Sequence, residues 1–171
     1  MGSAMLRRLG VHSRYTFVLV PPAQPRFSQP VCEEDLPALT ALYPVVVSDD
    51  EQGAVTLLKL ILEYKAHLTV IGCTSGEQTL QLCDMVTASL VISDVMKPDM
   101  DGYEMLHWLR EQPHTHYVPF MFLTARGDQS SHKKGLALGA DRYLSKPLLH
   151  HDMVAEVTGL LMERYRKVAV S

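Results

Sequence analysis

Cysteine is scarce: the chain carries Cys32, Cys73 and Cys83 in 171 residues. An odd count with no CxxC spacing excludes a disulfide framework and a cysteine zinc site, and it suits a reducing compartment. Charge of either sign is also nearly absent in excess, since 16 Lys and Arg face 19 Asp and Glu for a net charge of -3. No broad basic surface follows, so a direct nucleic-acid partner is not expected. Long apolar runs are missing as well. The run at 15–20 is stopped by Pro21 and Pro22, short of a signal-peptide core and of the roughly 18 to 20 apolar residues that a membrane span needs. No membrane partner is expected, and the reading is a cytoplasmic chain. No internal repeat is visible.

What is present suffices for one core, with 47% apolar residues. Prolines at 21, 22, 25, 30, 37 and 44 disfavour helix and remove backbone donors, which marks residues 1–43 as an N-terminal extension or linker. Within it, 14–20 alternates enough for one strand and is similar to the closing strand of a histidine-kinase ATP-binding domain, with a short irregular arm as the plainer reading. A domain is expected over 44–166 and a tail over 167–171. From Pro44 on, continuous apolar runs at 45–47, 68–71, 90–92, 118–123 and 142–144 read as buried strands. Segments of helical period separate them. Ala54, Leu57, Leu58, Ile61 and Leu62 form one apolar stripe, Leu80 and Cys83 a second, and Met105, Leu106 and Leu109 a third. A helix over 128–138 is diluted by Gly135, and a last one carries Met153, Val157, Leu160 and Leu161. Five strands alternating with five helices predict an α/β fold with a doubly wound parallel sheet.

In such sheets ligands bind beyond the carboxyl ends of the strands. Those positions hold Asp49, Asp50, Glu51, Asp94, Thr124 and Lys146. Clustered carboxylates repel, and a bound cation relieves the repulsion. Magnesium, or manganese in its place, suits an oxygen-rich set that offers one or two carboxylates beside a phosphate. A carboxylate can also act as nucleophile toward phosphorus, and Asp94 is the candidate. Lys146, the Thr124 hydroxyl and the metal would then stabilise the phosphoryl oxygens, while the small Ala125 leaves the approach open.

Four motifs resemble the receiver domains of two-component response regulators, a family that includes the chemotaxis regulators. They are Val-Val-Val-Ser-Asp-Asp-Glu at 45–51, Leu-Val-Ile-Ser-Asp-Val-Met-Lys-Pro-Asp-Met-Asp-Gly at 90–102, Phe-Leu-Thr-Ala at 122–125 and Gly-Ala-Asp-Arg-Tyr-Leu-Ser-Lys-Pro at 139–147. The resemblance implies a flavodoxin-like sheet in the order 2-1-3-4-5 and a phosphoryl group accepted on Asp94. It implies Mg2+ held by Asp50 directly, by Asp49 through water, by Asp94 and by the Met96 carbonyl. Thr124 and Lys146 would bind the phosphoryl oxygens, Tyr143 would be the switch aromatic, and the Lys146–Pro147 bond would be cis. The implied partner is a sensor histidine kinase or a histidine phosphotransfer protein, with a homodimer through the face of the fourth helix, fifth strand and fifth helix. The implied role is a switch and not an enzyme, capable only of self-phosphorylation and slow self-dephosphorylation, with Met96 and Arg126 flanking the reaction site. Ser48 and Lys97 depart from the usual apolar residues at their positions.

Plainer readings stand beside these. Asp49 and Asp50 alone would read as a helix N-cap, and Tyr143 alone as core packing. Asp99-Met100-Asp101-Gly102 suggests a calcium loop, but the remaining ligand positions hold Lys97 and Trp108. His114, His116, His150 and His151 read as surface residues without acidic partners. Two other functions remain open: an aspartyl-phosphate phosphohydrolase, disfavoured by Met96 where that class carries a second aspartate, and a receiver-like interaction module that works without phosphate.

Overall fold

Val45, Val46 and Val47 are β-branched in succession and all buried, as a strand covered on both faces requires. In the computed structural model, which describes residues 31–168 with side chains through 165, they form β1 (Val45–Ser48). The other strands are β2 (Val70–Cys73), β3 (Leu90–Ser93), β4 (Phe120–Thr124) and β5 (Arg142–Ser145). All neighbours are parallel, and the order is β2-β1-β3-β4-β5. Ser48 is in register with Cys73 on one side and Ser93 on the other. The strands therefore end level, and the residues that follow them share one edge. The strand expected at 14–20 lies outside the described residues.

Strand alternation divides the core into two layers. Val45, Val47, Leu90, Ile92, Met121 and Leu123 pack with helices α1 (Leu36–Leu42), α2 (Gln52–Ala66) and α6 (His150–Val168). Val46, Val91, Phe120 and Phe122 face the other layer, which contains α3 (Gly76–Met85) and α4 (Gly102–Glu111). Helix α5 (Gln129–Ala137) closes that side against β5. No helix among the described residues is long and apolar enough to cross a membrane.

The count of helices departs from expectation, because six α-helices rather than five are present among the described residues. The additional one, α1, falls where prolines were read as breakers. Pro37 sits in its first turn, where a missing N–H costs nothing. Leu36 and Leu39 join the core. The buried Thr40 hydroxyl donates to Leu36 O at 2.9 Å and accepts the Thr69 N–H at 2.9 Å, tying α1 to the start of β2. Strand β4 begins later than its apolar run, at Phe120, directly after Pro119.

Helix α2 is also rolled relative to its expected stripe. Val55, Leu58 and Leu62 are buried, whereas Leu57 is 52% exposed. Apolar residues nearly encircle this helix, and Gly72 on β2 decides which face docks. A Cβ at Gly72 would stand 2.3 Å from the Val55 side chain, so its absence admits Val55 against the sheet.

Candidate functional site

Strand ends position the site. Asp94 N donates to Ser48 O at 2.9 Å and Lys146 N to Thr124 O at 2.8 Å, extending the sheet's backbone pairing past its last residues. This rigid edge brings Asp49, Asp94, Thr124 and Lys146 together. Lys146 Nζ donates to Asp49 Oδ2 at 2.6 Å and to Asp94 Oδ2 at 2.9 Å. The other Asp94 oxygen, Oδ1, accepts the Thr124 hydroxyl at 2.8 Å and the Met96 N–H at 2.9 Å. Asp49 Oδ1 accepts the Glu51 N–H at 3.0 Å, so the aspartate also shapes the entry into α2.

Exposure separates the members. Asp49 is buried, whereas Asp50, Ala125 and Met96 lie exposed at the rim. Burial pushes the Asp94 carboxyl up. Its bonds from Lys146, Met96 N–H and Thr124 outweigh that and hold it below the ordinary aspartate value. Burial likewise pushes Lys146 down, but Asp49 and Asp94 together raise it above an ordinary lysine. The pair keeps Asp94 anionic and Lys146 cationic at neutral pH. A carboxylate in that state can act as a nucleophile, and a cation beside it can take up charge on an incoming group.

Among the described residues no three Asp, Glu, His or Cys side chains converge as a metal cage. Mg2+ does not require one, since it commonly binds through one or two carboxylates and keeps its waters. Asp49 and Asp94 already face a common cation in the Lys146 ammonium, and the donors are all oxygen. The residues fit Mg2+.

Behind Thr124 lies the aromatic group. The Tyr143 ring is 6% exposed, its hydroxyl donates to Arg126 O at 2.7 Å, and it stands 3.4 Å from the Tyr103 hydroxyl. Arg126 N in turn donates to the Thr124 hydroxyl at 3.2 Å. A chain of contacts therefore runs from Asp94 through Thr124 and Arg126 to Tyr143. Gly135 on α5 makes room for the ring, because a Cβ there would stand 2.6 Å from Tyr143 Cδ2. The Lys146–Pro147 peptide is cis.

Two participants are not evident from sequence. Tyr103 reads there as an ordinary helix residue after Gly102. Lys97 stands out there only as a departure from the usual apolar residue, and its burial is a feature of the fold: it is 7% exposed, with Nζ donating to the Ser93 hydroxyl at 2.9 Å. The Asp99–Gly102 segment is a helix start: Asp101 and Glu104 form a capping box on α4, and Asp99 Oδ2 accepts Gly76 N at the head of α3 at 2.6 Å. Among the histidines, His114 and His151 correct the expectation that none has an acidic partner, because His114 Nε2 lies 2.9 Å from Asp84 Oδ1 and His151 Nε2 3.1 Å from Asp152 Oδ1. Asp84 is on α3, too far along the chain for a local motif to reveal.

Comparison with known proteins follows the same lines. A family model described as the response regulator receiver domain matches residues 45–158. The chain is 38% identical over 117 residues to the transcriptional regulatory protein CpxR of Escherichia coli, covering 68% of this chain and 48% of that protein. It is 36% identical over 117 residues, with the same coverages, to the alkaline phosphatase synthesis transcriptional regulatory protein PhoP of Bacillus subtilis. The chain thus spans about half the length of the curated relatives it matches. A crystal structure of a response regulator from Chloroflexus aurantiacus superposes with a TM-score of 0.65 at 33% identity, covering 68% of this chain and 95% of that one. Receivers of this kind bind Mg2+ in general and are phosphoacceptor switches rather than members of a catalytic enzyme family. The chain belongs to the response regulator receiver domain family, the phosphoacceptor modules of two-component signalling.

Proposed function

We propose that Asp94 is the phosphoacceptor and that its donor is a phosphohistidine on a sensor kinase or a histidine phosphotransfer protein. One observation carries the reading: a single ammonium, Lys146 Nζ, contacts Asp49 and Asp94 while the Thr124 hydroxyl donates to the other oxygen of Asp94. In the transfer, a carboxylate oxygen of Asp94 bonds to phosphorus, the phosphorus–nitrogen bond breaks, and the histidine ring leaves with the bonding pair. Mg2+ held by Asp49, Asp50, Asp94 and the Met96 carbonyl would neutralise charge on the phosphoryl oxygens. Lys146 pairs with one phosphoryl oxygen, and the Thr124 hydroxyl turns from the carboxylate to another.

Movement of Thr124 alters the chain of contacts to Tyr143 and so biases the face made by α5, β5 and α6. A shift of this kind requires only a few kcal/mol of differential interaction. That face serves the output, including a homodimer. Its charged members include Arg142, paired to Glu163 at 2.7 Å and to Glu156 at 3.4 Å. Self-dephosphorylation is slow, and Met96 and Arg126, whose side chains meet at 3.7 Å, flank the reaction site and tune its rate. A histidine-kinase donor places the chain in the cytoplasm, with no direct contact to nucleic acid or membrane.

Incubation with Mg2+ and acetyl phosphate tests the reading. The expected product is an adduct of phosphate mass that survives acid, is released by hydroxylamine and is absent from Asp94→Asn. Absence of the adduct from the wild-type chain refutes the assignment. Sustained multiple-turnover hydrolysis of phosphate esters would instead favour a phosphohydrolase.

A further inference from the structure

A lysine in a turn ordinarily keeps its head group in water. Lys97 does not: it is 7% exposed, and both of its hydrogen-bond partners are neutral oxygens. Nζ donates to Ser93 Oγ at 2.9 Å and lies 3.4 Å from the main-chain oxygen of Asp94. Ser93 Oγ donates to that same oxygen at 2.7 Å. Gly102 crowds it as well, since a Cβ at Gly102 would stand 2.5 Å from it. The backbone of the acceptor residue is thereby pinned by a buried ammonium one residue's length from its carboxylate. An ammonium without a direct ion pair is costly to bury. Burial pushes Lys97 below an ordinary lysine, and the carboxylates of Asp99, Asp94, Asp49 and Asp101 nearby offset that in part.

The two lysines of the site differ in what an arriving ligand does to them. Lys146 touches the carboxylates directly, so a divalent cation or a phosphoryl group must rearrange it. Lys97 is held by neutral atoms inside the protein, and nothing entering the pocket displaces it. We propose that Lys97 is a second, fixed cation of the acceptor site, a positioning residue whose charge weakens Mg2+ binding before phosphorylation. Its charge opposes the metal and favours the negative charge that a phosphoryl group adds. The inference rests on the reading of the site given above.

Isothermal titration of the full chain with Mg2+ alone tests it. Lys97→Gln keeps a polar partner for Ser93 while removing the charge, and it should bind Mg2+ roughly three- to tenfold more tightly than wild type. Lys97→Arg should restore affinity to within about twofold of wild type. A role confined to shaping the turn would change the affinity in the other direction, because a loosened turn weakens the metal. Unchanged or weaker binding by a folded Lys97→Gln therefore overturns the proposal. A second measurement needs no variant: in wild-type chain labelled with 13C at lysine Cε, the Lys97 resonance should shift with the midpoint of the calorimetric titration. A resonance that stays still at Mg2+ saturation overturns it equally. Absence of Mg2+ binding by the wild type removes both this inference and the functional reading; binding that ignores Lys97 removes only this inference.

Discussion

Gly135→Ala offers a test in which two physical effects oppose each other and the geometry decides the sign. In an open helix the change stabilises by about 1 kcal/mol, because alanine loses less backbone freedom than glycine. Here the added carbon would stand 2.6 Å from Tyr143 Cδ2, 3.0 Å from Cε2 and 3.2 Å from Phe122 Cδ2. A rigid ring cannot yield as a flexible side chain does, and overpacking of this kind costs about 1–3 kcal/mol. Should the ring swing out instead, it loses its 2.7 Å bond to Arg126 O, worth about 0.5–1.5 kcal/mol, together with its burial. The expected net effect is a loss of about 1–2 kcal/mol, read as a lower urea midpoint at unchanged slope. In a Tyr143→Ala background only the 3.2 Å approach to Phe122 Cδ2 remains, and Gly135→Ala should then be neutral to stabilising by up to about 1 kcal/mol. The double-mutant cycle therefore carries a coupling of about 1–3 kcal/mol. Additive costs, or a stabilising Gly135→Ala in the wild-type background, would refute the claim that this glycine exists to seat the tyrosine.

Thr40→Val removes the hydroxyl that links Leu36 O to Thr69 N and leaves that N–H unpaired, so the urea midpoint should fall by the equivalent of about 1–3 kcal/mol; a neutral outcome would detach α1 from the cooperative fold. Lys146→Met should flatten the dependence of stability on pH at both ends. Asp94 is held below its unfolded value, so its contribution is complete above the unfolded aspartate range and drains away as pH falls through the folded value. Lys146 is held above its unfolded value, so its contribution is complete below the unfolded lysine range and is lost as pH rises through the folded value. Urea midpoints across the pH range that fall as steeply in Lys146→Met as in wild type would contradict both assignments.

The candidate site is legible in sequence because topology does the assembling. Parallel strands of equal phase end on one edge, so residues after continuous apolar runs meet whatever lies between them. Asp49, Asp94, Thr124 and Lys146 needed no knowledge of side-chain packing to be placed together, and the register of Ser48 with Ser93 is what makes the placement hold. Packing decides the features that stayed hidden. Helix α2 offers apolar residues almost all round, and only the missing side chain of Gly72, on another element, selects Val55 for the interior. Helix α1 is too short to show a stripe, and its Pro37 looks like a breaker until the helix start is located. Lys97 is the sharpest instance. No periodic pattern distinguishes a turn lysine that reaches water from one that folds back onto Ser93. The distinction matters most for electrostatics, since the same charge is screened in the first case and acts in the second through a medium of lower dielectric. Residue types that a core cannot tolerate unpaired announce the chemistry, but how strongly each charge acts depends on burial, and burial is set by contacts that local sequence does not encode.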